Sequence, residues 1–252
     1  MGGSLRDGRE WLHSLSATCP AVTQLDQAEA MRLTIPILLS ANAGYVDTAG
    51  FLTLHGLFPA HITGNFVTLG MALTSGASGV WAKILALPVF CLIVFASRIL
   101  ASSLPRMGLP VMRTLLILKV LLLVAAAWMA VAVGGSEAHV IITGLLLVSA
   151  MALQNAISRI YSNHVPATML TGPLTQLMID VADLVRGLPP SERAAVKSRL
   201  ARTAATVASF AAGCGFGAIL LREVGTWCFI APPVLAFMAT MMGETRQAHV
   251  AA

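Results

Sequence analysis

The sequence predicts an all-α polytopic membrane protein of six transmembrane helices and two re-entrant half-helices, arranged as an inverted repeat of three helices plus three. The first supporting observation is composition: 57% of the 252 residues are hydrophobic and only 11% are charged, against about 25% charged residues in a soluble domain. The other two supporting observations are the long apolar runs and the asymmetric distribution of basic residues. A mean hydropathy of +0.81 excludes an ordinary cytosolic enzyme, a disordered protein and a disulfide scaffold.

Six apolar runs approach or exceed the length of about 20 residues that a helix needs to cross a bilayer. Residues 1–32 lack such a run and are interpreted as a cytoplasmic tail rather than a cleaved signal peptide. Residues 244–252 are expected to form a second cytoplasmic tail, and 33–133 and 134–243 the two repeats. The predicted spans are 33–54, 80–104, 114–133, 139–160, 203–221 and 226–242.

Two shorter stretches, 61–75 and 168–185, either cross the membrane, giving eight helices, or enter and leave on one side, giving six. Basic residues favour the second arrangement. With six crossings and a cytoplasmic N-terminus, fourteen of the 16 Lys and Arg residues lie on the cytoplasmic side, whereas eight crossings leave only ten there. Because Lys and Arg concentrate in cytoplasmic loops, we expect two re-entrant segments and both termini in the cytoplasm.

The two halves of the chain share a pattern at a fixed offset of 108 residues, at which Thr63-Gly64 matches Thr171-Gly172 and Asp47 matches Asn155. Three crossings in each half are an odd number, so the second half is expected to be inverted relative to the first. Inverted repeats are common in secondary transporters, with the solute site near the repeat interface. Coincidence is the alternative, since Thr-Gly is a common dipeptide, but the identical spacing favours a repeat.

Four segments carry a resemblance to a known family: residues 44–51, 62–65, 153–156 and 170–172. Through these segments, and over roughly residues 33–242, the chain resembles the YoaK-like family of small bacterial integral membrane proteins of unknown function. The second-half motif is looser, and here Pro173 follows its glycine. The resemblance implies a membrane architecture and a bacterial inner membrane, and it implies no substrate.

Each Thr-Gly step is predicted to begin a half-helix, since a threonine hydroxyl can cap an orphan N–H group of the first turn. A helix N-terminus carries unpaired N–H donors and about half a positive charge. Two half-helices that enter from opposite faces would point these ends at each other, which favours a small anionic solute. The alternative is that the two ends cap one another in tight packing. The expected solute-binding residues are Thr63, Gly64, Asn65, Thr171, Gly172, Asp47, Asn155 and Gln154.

Other polar residues in the apolar runs have two interpretations each. Asp47 either carries a proton or coupling cation, as intramembrane acids often do, or bonds backbone groups near Gly44 and Gly50. Gln154 and Asn155 could equally bridge helices. Basic side chains near cytoplasmic helix ends are expected to extend to lipid headgroups: Arg98, Lys119 and Arg159. Counted from Gly172 at about 1.5 Å per residue, Asp180 and Asp183 are expected at the aqueous interface.

Gly213 and Gly217 have the GxxxG spacing typical of close helix packing, either within the chain or at a seam between copies of it. No HExxH, GxSxG or P-loop motif and no paired Cys and His residues are present, so neither an enzyme nor a metal or cofactor site is predicted. The leading hypothesis is a secondary transporter or channel for a small, anionic solute. The alternative is a non-transporting membrane scaffold or regulator. The lipid bilayer is the expected partner, a homo-oligomer stays open, and no nucleic acid is expected.

Overall fold

The computed structural model of this chain describes residues 19–132, 136–161 and 170–251. Residues 1–18 of the predicted tail, Val133 and Thr168 therefore lie outside the described residues. Short 3-10 helices follow two of the α-helices, at Leu104–Met107 and Gly225–Ile230. The α-helices are α1 Cys19–Thr53, α2 Gly64–Ser75, α3 Val80–Ser103, α4 Val111–Ala132, α5 Glu137–Tyr161, α6 Thr171–Arg186, α7 Pro190–Val224 and α8 Ala231–Ala251.

The predicted spans correspond to the long helices, with differences at their ends. α3, α4 and α5 match their predicted spans within three residues. α1 and α7 begin well before the apolar runs, because the polar residues that precede those runs are mostly strong helix formers. α8 begins five residues later than predicted, since Pro232 and Pro233 fit only the first turn of a helix, and it continues through the predicted C-terminal tail.

The surface of the described helices suits lipid. Four helical stretches are long and apolar enough to cross a membrane, namely Val80–Met107, Val111–Ala132, Glu137–Ile160 and Pro190–Met242. The last contains α7 and the first twelve residues of α8. Large apolar side chains lie on the outside of the bundle, with Phe95 65% and Trp128 69% exposed. A patch of this extent would not persist in water, and the chain is a multi-pass membrane protein.

α1 lies at the centre of the bundle, and its contacts give the directions of its neighbours. Near the start of the interface with α7, the Ser40 hydroxyl donates to the Thr206 carbonyl oxygen at 2.8 Å. Further along both helices, Gly217 lies against Tyr45. Because the residue numbers rise together, α1 and α7 are parallel. The Tyr45 hydroxyl also donates to the Cys228 carbonyl oxygen at 2.7 Å, which fastens the chain just before α8.

α1 and α5 run in opposite directions. The Gln154 side-chain amide donates to the Leu39 carbonyl oxygen at 2.9 Å. At the other end of this contact, Leu57, just beyond α1, lies against Gly144, where an added Cβ would be 2.5 Å from its Cδ2 atom. A rising number on α1 is therefore matched by a falling number on α5, which is the antiparallel arrangement.

The GxxxG pair packs within the chain, against α1. A Cβ atom added at Gly213 would lie 2.0 Å from the Ala41 carbonyl oxygen, and one at Gly217 would lie 2.9 Å from the Tyr45 carbonyl oxygen. Gly44 makes the equivalent close contact from α1, because a Cβ atom there would lie 2.2 Å from the Phe210 carbonyl oxygen. The two backbones are thus in direct contact, as small residues allow in membranes. Of the two settings predicted for this motif, the structure has the intramolecular one.

The helix pairs form a regular set. α2 packs on α3 and α6 on α7, α3 packs on α5 and α7 on α1, and α4 packs on α5 and α8 on α1. α1 also contacts α5, and α4 contacts α8. Each helix of the first half, α1 to α4, has a counterpart in the second half, α5 to α8. When every helix is replaced by its counterpart, each contacting pair becomes another contacting pair of this set or stays the same pair. The direct contact between α3 and α4 does not follow this pattern, because their counterparts α7 and α8 each pack on the 3-10 helix that lies between them.

α6 is fastened to α7 by a buried carboxylate. Asp180 has no exposed surface, and its oxygens accept hydrogen bonds from Arg199 at 2.6 and 2.9 Å and from Gln176 at 2.8 Å. The bonds from Arg199 hold the pKa of Asp180 below its ordinary value. The expectation that this carboxylate lies at the aqueous interface stays a prediction; in the structure its partner is a half-exposed guanidinium on the next helix.

Replacing Asp180 with alanine is expected to lower the free energy of unfolding by about 1–2 kcal/mol, because Arg199 and Gln176 lose their acceptor. The half-exposed guanidinium keeps the effect moderate. Thermal unfolding in detergent measures it. Asp183→Ala, three residues along the same helix, is the control. Equal midpoints for the two variants would show that the ion pair does not hold α6.

Candidate functional site

The carboxylate of Asp47 binds the connection between α1 and α2. Its Oδ1 atom accepts a hydrogen bond from the Ala60 amide at 2.6 Å and a longer one from the His61 amide at 3.4 Å. Its Oδ2 atom contacts Nδ1 of the His61 ring. Asp47 is only 3% exposed. The carboxylate therefore folds the connection back along α1 and fixes the orientation of one imidazole.

Asn65, in the first turn of α2, closes the same connection from the other side. Its side-chain oxygen accepts from the Phe58 amide at 2.8 Å, and its side-chain nitrogen donates to the Phe58 carbonyl oxygen at 2.9 Å. The side chain is 3% exposed. Asn65 was predicted to bind solute, but both ends of its amide are used to hold the backbone before α2.

The N-terminus of α2 does not offer the donors that the sequence predicted. The amide of Gly64 donates to the His61 carbonyl oxygen at 2.9 Å, and the amide of Asn65 donates to the Ile62 carbonyl oxygen at 3.1 Å. Thr63 has helical dihedral angles, and its hydroxyl makes no cap hydrogen bond. The predicted start at Gly64 is correct, and the predicted threonine cap is wrong. A tight turn before the helix consumes the N–H groups that an anion would use.

A cavity of about 450 Å³ lies beside the Asp47–His61 pair, within the usual range for small-molecule sites. Its walls are mainly apolar, and the His61 ring meets the Phe210 ring edge-on with centroids 5.3 Å apart. Within the described parts of the chain, no three His, Cys, Asp or Glu side chains are placed to hold a metal ion. The lining residues are Asp47, Thr48, Phe51, Leu52, Phe58, His61, Thr63, Gly64, Phe210 and Cys214.

The structure brings Asp47, Thr63 and Gly64 to this cavity and leaves the second Thr-Gly step outside it. Thr171 and Gly172 are exposed, and a Cβ atom added at Gly172 would have nothing within 4 Å. The expectation that both steps share one pocket is not met by the described residues. The reason is that α2 packs on α3 whereas α6 packs on α7, so matching positions in the two halves are not neighbours.

Gln154 and Asn155 lie in α5, away from the cavity. The ammonium of Lys119, in α4, donates to the Gln154 side-chain oxygen, and Lys119 has no exposed surface. Asn155 donates to the Met151 carbonyl oxygen in its own helix at 3.1 Å. The expectation that Lys119 reaches the headgroups is wrong, because its side chain points at α5 instead of at lipid.

Sequence reasoning missed two functional candidates, His61 and Lys119. The sequence pattern did not single out His61, whose ring reaches back fourteen residues to Asp47. The available signal was a histidine that follows an acid of an apolar run by only fourteen residues. Lys119 carried the simpler signal of a charge far inside an apolar run, eight residues after the start of α4.

Comparisons with known proteins place the chain in a family and identify a transmembrane relative. Residues 35–242 match the family model described as "Protein of unknown function (DUF1275)". The chain is 28% identical over 158 residues to the UPF0700 transmembrane protein YoaK of Bacillus subtilis (strain 168), an alignment that covers 62% of this chain and 69% of that protein. No solved structure matches the chain. The resemblance to the YoaK-like family is thereby confirmed, and the chain belongs to the DUF1275 family of membrane proteins.

Proposed function

We propose that this chain is a secondary transporter or channel for a small solute, and that the cavity beside Asp47 and His61 is its binding site. The observation that carries the proposal is a carboxylate–imidazole pair on the wall of a solute-sized, partly open cavity lined by α1, α2 and α7. Ionisable groups within membrane helices are costly and usually mark ion or solute pathways. The proposal includes a bacterial inner membrane as the location, with both termini in the cytoplasm.

The direction of α5 supports six crossings. If 61–75 does not cross, α1 and α5 traverse the membrane in opposite directions; if it does, they traverse it in the same direction. The antiparallel contact through Gln154 and Leu39 fits the first case. The exchange pattern of the helix pairs supports an inverted repeat, because a pseudo-twofold axis relates contacts in this way.

The position of α2 supports a re-entrant segment. The helix begins next to Asp47, which lies about 9 Å along α1 from the end of that helix at Thr53. After α2 the chain returns to the end of α1, where the Lys83 ammonium donates to the His55 carbonyl oxygen at 2.6 Å. A segment that starts at depth and ends beside its own point of entry dips into the bilayer without crossing it.

The Asp47–His61 pair supplies a means of proton coupling. Asp47 binds Nδ1 of His61, and the ring is one-third exposed, which leaves Nε2 for a proton or a solute. Imidazole side chains serve as proton shuttles in many proteins. Because Asp47 lines the cavity and the amides of α2 are occupied, the cavity itself disfavours a lone anion. An anionic solute would enter together with a proton on His61.

Flux in proteoliposomes tests the proposal. The probes are radiolabelled lactate, glycine and ethanolamine, which represent an anion, a zwitterion and a cation, with an inward proton gradient. At least one is expected to enter faster than in protein-free vesicles. His61→Gln and Gly64→Leu are expected to lower that rate at least about tenfold, since a loss of roughly 1.4 kcal/mol of binding has this effect.

Gly70→Leu is the matched control for Gly64→Leu, because it lies in α2 and faces open space. Its flux is expected to equal that of the unmodified chain. A rate no higher than in empty vesicles for all three probes would favour the alternative function, a non-transporting scaffold or regulator. Equal flux through Gly64→Leu and Gly70→Leu would place the solute site elsewhere.

A further inference from the structure

We infer a second polar site, deep in the bundle between α1, α4 and α5, at which Lys119, Gln154 and Asn42 bind a small anion. The inference stands on a different set of residues from the Asp47 cavity, and it does not depend on transport. The three side chains are buried to 0%, 1% and 0% exposure. None of them lines the cavity described above.

Lys119 has more hydrogen-bonding capacity than its surroundings use. An ammonium carries three N–H donors, and the acceptor that the described residues supply is the Gln154 side-chain oxygen. The carboxylates of Asp47 and Asp180 are engaged by other partners. A buried amine without an opposite charge either gives up its proton or binds an anion, and an anion is the partner that would keep Lys119 charged.

Gln154 cannot complete the coordination alone. Its side-chain nitrogen already donates to the Leu39 carbonyl oxygen at 2.9 Å. Its oxygen therefore has to point at Lys119, and the amide acts as a fixed bridge between α1 and α4. Two ammonium N–H groups remain for another ligand.

Asn42 provides a second, independent observation. Neither its side-chain oxygen nor its side-chain nitrogen has a hydrogen-bond partner among the described residues. Buried amides are paired in the great majority of proteins, and an exception needs an explanation such as an ion or water. Asn42 follows Leu39 by three residues and so lies on the same face of α1, about 4.5 Å along the axis. Its N–H donors are thus within one helical turn of the Lys119–Gln154 pair.

The charge and the surroundings together define the ligand. Water could satisfy Asn42, but only an anion also neutralises Lys119, and charge neutralisation outweighs a neutral hydrogen bond in a low-dielectric interior. Leu115, Leu116 and Leu153 pack nearby in one cluster at no more than 2% exposure. Packing this close admits only a small ligand, a halide or a short carboxylate, whose shared feature is one compact negative charge.

Thermal unfolding of the full chain in detergent tests the site. Sodium chloride and sodium acetate are each compared with sodium gluconate at equal ionic strength, gluconate being too large for the site. Chloride, acetate or both are expected to raise the midpoint by about 2–4 °C at concentrations several times the dissociation constant. The arm that responds identifies a halide or a carboxylate. No shift in either arm overturns the inference.

Lys119→Met is expected to abolish the shift. Lys83→Met is the matched control, since Lys83 is also buried but its ammonium binds a backbone carbonyl at the end of α1, and its shift is expected to persist. If Lys119→Met does not fold, Asn42→Ala takes its place and should raise the half-maximal anion concentration at least about threefold. An equal shift in Lys119→Met, or an unchanged concentration dependence in Asn42→Ala, overturns the inference.

Discussion

Replacing Asp47 with alanine is expected to lower the free energy of unfolding by about 2–4 kcal/mol, because the buried Ala60 amide and the His61 ring lose their acceptor. The connection before α2 should then detach from α1. Hydrogen exchange at the amides of Ala60 and His61 reports this opening directly, and thermal unfolding reports its cost.

Asp47→Asn separates the structural role of this side chain from its charge. The asparagine oxygen can still accept from the Ala60 amide, so most of the stability should remain while proton-coupled flux falls. If Asp47→Ala exchanges its amides no faster than the unmodified chain, the carboxylate does not hold the connection.

Gly213→Ala is expected to destabilise the bundle by about 1–3 kcal/mol, the cost of forcing atoms into a close-packed interface. The added methyl group would meet the Ala41 carbonyl oxygen at 2.0 Å. Because this obstacle is backbone, α1 and α7 must separate along their length. The yield of monodisperse protein and its unfolding midpoint measure the effect.

Gly215→Ala is the control, and its effect should have the opposite sign. Nothing lies within 4 Å of a Cβ atom at Gly215, and alanine is favoured over glycine inside a helix by about 1 kcal/mol. A midpoint for Gly213→Ala as high as that for Gly215→Ala would contradict the backbone contact.

Hydropathy predicted the lipid-facing helices well and their ends less well. α3, α4 and α5 end within one residue of the ends of their apolar runs. α7 begins thirteen residues before its predicted start, since helix propensity in a polar segment acts independently of the bilayer. Length and hydropathy carry no information about such extensions.

The candidate site was predictable only in part. Asp47 stands out because a carboxylate interrupts an apolar run, but its partner His61 became apparent only when the connection folded back. The free amides expected at Gly64 are consumed by a turn whose hydrogen bonds leave no mark in the sequence. Asn42 and Lys119 lie on different helices, α1 and α4, and their proximity depends on how these helices pack on α5.

The glycine contact between α1 and α7 has a mechanical consequence. Helices that touch backbone to backbone have few interlocking side chains to resist small sliding motions. Asp47 and Phe51 face the cavity from α1, and Phe210 and Cys214 face it from α7. A sliding motion of a few ångströms along the interface between α1 and α7 would therefore widen or narrow the cavity without unpacking the rest of the bundle.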